Sequence, residues 1–182
     1  MGKSNKKKRR NTRTTTVTEE LLNNPRAVIT RLARSLPENP QNITTEWLIG
    51  IADAVPSSIL LREAGVGAFL IQLLVEPQHL SSLKNGKLPW WLHPLNGLVN
   101  LCISLEQKPN PVVDHIIKRQ IREASGRIII LLWNEMNEYL GGGLNHMDVR
   151  REVSRFIQCL ALGDGLYIPS VPLQLSVQGY QA

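Results

Sequence analysis

Groups able to do chemistry are thinly spread along this chain, and the densest cluster lies near its start. Lys3, Lys6, Lys7, Lys8, Arg9, Arg10 and Arg13 fall within the first 16 residues with no acid among them. Such a block neutralises nucleic-acid phosphates, with an affinity that falls steeply as salt rises. It also has the composition of a nuclear-import signal, which the acidic grooves of import receptors bind, and a solvated tail with no specific partner is the third reading. Trp90-Trp91 is the second candidate. Exposed tryptophans favour binding surfaces, because each brings a large apolar area and one N–H donor. With Pro89 and Pro94 alongside, the same pair suits a hydrophobic plug between two helices. Lys118, Arg119, Arg122 and Arg127 form a smaller basic facet at near-helical spacing, read as a solvated helix face.

Catalytic patterns are missing. His79, His93, His115 and His146 stand far apart and make no His-x-x-x-His or His-x-Glu pattern. There is no phosphate-binding Gly-x-x-x-x-Gly-Lys loop, no Gly-x-Ser-x-Gly elbow and no dinucleotide fingerprint. Cys102 and Cys159 are the two cysteines, each inside an apolar run. That usage points to reduced core thiols, not to a disulfide framework or a zinc site. No enzyme activity, cofactor or metal is expected.

The charge is segregated. The 182 residues carry 21 bases and 15 acids, and seven of the bases lie in residues 1–16. The remaining 14 bases face 15 acids over 17–182, so the body is close to neutral. A segment of bases with Ser, Asn and Thr cannot bury enough surface to offset its ordering entropy, so 1–16 is expected to be a disordered basic tail. The whole chain is 42% hydrophobic, with no apolar run near the 18 residues that a membrane span requires. An intracellular protein, nuclear or cytoplasmic and without a membrane partner, is the expectation.

The elements that must position these groups read as helix after helix. Asn24-Pro25 sets a cap with proline at the first helical position, and Ala27, Val28, Leu32, Ala33 and Leu36 follow until Pro37 and Pro40 stop them. Thr44 or Thr45 caps a second helix through Trp47, Leu48, Ile51, Ala52 and Val55, which Pro56 ends. Ile59–Ala64 is a short third, closed by Gly65. Phe69, Leu70, Leu73 and Leu74 form the inner face of a fourth, before the irregular stretch 77–94. Leu95, Leu98, Val99, Cys102 and Leu105 then mark a long helix. After Asn110-Pro111, Val112, Val113, Ile116 and Ile117 point one way while Asp114, His115, Lys118 and Arg119 point the other. Ile128 to Trp133, apolar all round, predicts a central helix buried on most sides, and Gly141-Gly142-Gly143 breaks the chain. Val149, Val153, Phe156, Ile157 and Leu160 form one stripe of a last helix, with Arg150, Arg151, Glu152, Arg155 and Gln158 on its far side. The predicted organisation is a tail at 1–16, an all-α domain at 17–163 and an extended segment at 164–182.

Two stretches resemble pieces of the armadillo repeat. Ile59-Leu60-Leu61-Arg62-Glu63-Ala64-Gly65, followed by Val66, Leu70, Leu73, Leu74 and Pro77, is similar to that family's first helix, glycine corner and second helix. Gly97-Leu98-Val99-Asn100-Leu101 resembles its third-helix signature, and Glu123-Ala124-Ser125-Gly126 echoes the glycine corner loosely. The similarity covers about 44–140. It implies a short right-handed helical solenoid, armadillo- or HEAT-like, and a compact helical bundle is the alternative. It further implies that Asn100 lines a concave groove and hydrogen-bonds the main chain of an extended peptide.

The expected function is therefore a non-enzymatic scaffold that binds a protein or peptide partner through Asn100, Trp90 and Trp91. Its tail, through Lys6, Lys7, Lys8, Arg9, Arg10 and Arg13, directs it to the nucleus or adds electrostatic binding. The alternative is a nucleic-acid-associated protein of the viral nucleocapsid or coat type, packaging RNA through the basic arm.

Overall fold

The computed structural model describes residues 17–76, 91–139 and 146–162. The basic tail, Trp90, the glycine run at 141–143 and the segment 164–182 lie outside them, as do the expectations placed there. Among the described residues every regular element is helical. Helix α1 covers 17–23, ahead of the first proline-capped helix that the sequence announces. α2 is Pro25–Glu38, α3 Thr45–Ala54, α4 Ile59–Glu63 and α5 Val66–Val75. α6 is Leu92–Gln107, α7 Asp114–Tyr139 and α8 His146–Leu162. Short 3-10 turns at Pro40–Asn42 and Val55–Ser57 flank α3.

Local chemistry sets the boundaries. α2 begins with Pro25, whose missing N–H costs nothing in the first turn. Pro37 falls in its last turn and the helix runs one residue further, to Glu38, before Asn39 N donates back to Ser35 O. Thr44 caps α3, its hydroxyl accepting from Trp47 N at 3.4 Å. Gly65 turns the chain at φ +87°, a left-handed backbone that residues with a Cβ rarely adopt. Its N–H meets Arg62 O while its own carbonyl accepts from Phe69 N, so one residue closes α4 and opens α5.

α6 is the hub. It packs against α3, α5 and α8, and α5 packs in turn on α7. Leu92, Leu95, Leu98, Val99, Leu101, Cys102 and Leu105 of α6 are all buried, around a core that includes Leu48, Ile51, Phe69, Leu70, Leu73 and Phe156. Gly97 permits this close approach. A Cβ there would lie 3.2 Å from a Leu70 methyl and 3.8 Å from the Ala52 Cα.

Five sequence expectations are corrected by packing. Pro94 does not precede the long helix but sits inside its first turn, where the backbone lacks intrahelical acceptors for its N–H groups anyway. On α7 the buried face is rotated: Ile116, like Val112 just before the helix, is exposed while Asp114, Ile117, Ile121, Ala124, Ile128 and Leu132 face inward. Ile130 is 61% exposed, so the apolar block is not buried all round, and residues 123–126 are uninterrupted helix. On α8, Glu152 is buried instead of solvated on the far side, while its carboxylate pairs with Arg155 at 2.8 Å.

Candidate binding site

Because α6 is buried against three neighbours, one face of it stays partly open. His93, Asn96, Asn100 and Ile103 are the half-buried residues, and they recur at intervals of three or four, one stripe along the helix. Asn100 is anchored there. Its Nδ2 donates to Ala52 O near the end of α3 at 2.9 Å. The close packing at Gly97, one turn earlier, brings that carbonyl within reach. A carboxamide carries two donors and an acceptor oxygen, so this bond leaves one donor and the oxygen for another partner. Burial lowers the pKa of His93 below the ordinary histidine value, favouring a neutral ring at the start of the stripe.

Trp91 stands immediately before α6 with no exposed surface, and its indole N–H is buried without an acceptor. Its ring fills the core, the plug role that the neighbouring prolines suggested. Trp90 and the bases Lys6, Lys7, Lys8, Arg9, Arg10 and Arg13 lie outside the described residues. The basic facet on α7 is partly neutralised: Lys118 pairs with Glu106 at 3.2 Å and Arg119 with Glu123 at 3.8 Å.

Two features escaped the sequence reading. The first is an open groove of about 890 Å³ between α2 and α4, with Asn24, Arg26, Arg34, Leu60 and Glu63 among its lining. No residue of α6 contributes to it, so it is separate from the Asn100 stripe. The second is the buried guanidinium of Arg62. One nitrogen donates to Lys108 O at 2.5 Å and lies 3.4 Å from the Asp114 carboxylate; the other donates to Ser104 O and Oγ. Asp114 also accepts from Asn110 N at 2.5 Å. Arg62 thus satisfies carbonyls at the end of α6 and holds the start of α7, which explains why Asp114 faces inward. An arginine in a five-residue helix carries no periodicity that marks it as buried.

Among the described residues no three His, Cys, Asp or Glu side chains gather to hold a metal, and no helix is long and apolar enough to cross a membrane. Compared with protein-family models, with curated proteins and with solved structures, the chain matches none.

Proposed function

We propose that the chain is a non-enzymatic interaction module, a short armadillo- or HEAT-like solenoid that holds an extended segment of a protein partner along α6. What supports the reading is the open stripe on an otherwise enclosed helix. Asn96 and Asn100 lie four residues apart, a rise of about 6 Å along a helix axis. Alternate residues of an extended chain are spaced by roughly 6.7 Å, so two carboxamides at this interval can address alternate peptide groups of a bound strand. His93 and Ile103 flank them, one a neutral ring and the other an aliphatic contact.

The test is selection of peptides from a random displayed library on the full-length protein, followed by titration of the selected peptides against Asn100→Ala and Asn96→Ala. Each variant is expected to bind about tenfold more weakly through loss of one hydrogen-bonding group, with a far-ultraviolet helical signal unchanged. Equal affinity for both variants and wild type removes the assignment.

The segregated charge supports a second reading, in which the basic arm neutralises RNA phosphates and the near-neutral body packs or assembles.

A further inference from the structure

We propose that the outward face of α7 around Gly126 is a docking surface for the phosphate backbone of RNA, which rests on the second functional reading and extends it from the arm to the body. Residues 118–127 hold Lys118, Arg119, Arg122 and Arg127 against Glu123 alone, whereas the remainder of 17–182 has ten bases and 14 acids. The body is therefore not evenly neutral: one short segment is positive and the rest is negative. A polyanion gathered by the arm is repelled by most of the body and drawn to this segment.

The fold places that charge outside. Arg119, Arg122, Gly126 and Ile130 are all exposed and recur at intervals of three and four, one stripe on the helix surface with Arg127 beside it. Among the described residues the guanidinium groups of Arg122 and Arg127 meet no acid and no hydrogen-bond acceptor. Arg119 reaches only the equally exposed Glu123, at 3.8 Å, a pairing that water and salt weaken. Three planar forks on one face suit phosphate oxygens, which a guanidinium takes two at a time.

Gly126 points the same way. It lies inside a 26-residue helix, where glycine is less favourable than alanine because it restrains the unfolded backbone least. Gly97 makes room for Leu70, but a Cβ at Gly126 would meet no described atom within 4 Å. Packing therefore gives this glycine no task. A bare backbone on an exposed face flanked by arginines lets a ligand approach the helix closely, as a phosphate chain held by Arg122 and Arg127 does.

The experiment measures fluorescence anisotropy of a labelled single-stranded RNA of about 20 nucleotides with the full-length protein as salt rises. Combining Arg122→Gln with Arg127→Gln removes two phosphate contacts. The slope of log affinity against log salt is then expected to fall by roughly 1.4, and binding in about 0.1 M salt to weaken at least tenfold, with the helical signal unchanged. Gly126→Ala is expected to melt at a higher temperature and yet bind RNA more weakly, a split that a stabilised fold alone does not give. When Lys6, Lys7, Lys8, Arg9, Arg10 and Arg13 are replaced by glutamine, the RNA binding that remains is expected to vanish once the two arginine substitutions are added. Unchanged affinity and slope in the α7 variants, with the arm replacement alone abolishing binding, overturns this proposal and leaves the arm's role standing. Absence of RNA binding in the wild type overturns both, and tighter binding of polyglutamate than of RNA assigns the face to an acidic protein instead.

Discussion

His93 illustrates how a single side chain responds to its place in the fold. As one of four histidines with no partner at a diagnostic interval, it has no distinguishing mark in the sequence. In the structure it is half-buried at the start of the α6 stripe, and burial disfavours its charged form. A folded-state pKa below the unfolded value means that the unfolded chain binds the proton first, so stability declines as pH falls through about 6.5 and levels off below the folded pKa. Thermal melts between pH 7.5 and 5.5 are expected to show this decline, and His93→Gln to reduce the slope; identical slopes in the two proteins discard the assignment. Asn100 behaves differently. The resemblance carried by Gly97-Leu98-Val99-Asn100-Leu101 singles it out, but the bond to Ala52 O that orients its carboxamide depends on how α3 meets α6.

At the level of elements, periodicity and caps located most helices, and side-chain burial followed the apolar stripes wherever solvation alone decided the face. The α4–α5 corner was legible because Gly65 and the stripe after it are local signals. The face of α7 was not. Val112, Val113, Ile116 and Ile117 form an apolar cluster by composition, but Arg62 requires a carboxylate beside it, and Asp114 supplies one by turning the first turn of α7 inward. Removing the guanidinium leaves the buried Asp114 carboxylate without its cationic partner and takes one donor from the carbonyls of Ser104 and Lys108. Arg62→Leu is therefore expected to cost about 3–5 kcal/mol in chemical denaturation. A loss below about 1 kcal/mol contradicts the view that Arg62 holds α4, α6 and α7 together, since surface substitutions typically fall in that range.

For the whole molecule, the charge distribution separates the two functional readings. If the tail alone contacts nucleic acid, replacing Lys6, Lys7, Lys8, Arg9, Arg10 and Arg13 by glutamine in the full chain should abolish most RNA binding and flatten its dependence on salt. Retained affinity with an unchanged salt slope shifts the contact to the body and weakens the tail's role; peptide binding through α6 should be indifferent to the same change. The linear pattern of apolar residues, prolines, glycines and bases determined an all-helical body and a segregated basic arm, because these follow from solvation, backbone geometry and charge within a few neighbouring residues. Only the tertiary structure decided that α6 is the hub with one open face and that Arg62 and Asp114 meet inside. Each of those depends on side chains brought together from distant parts of the chain, and no local spacing encodes such a meeting.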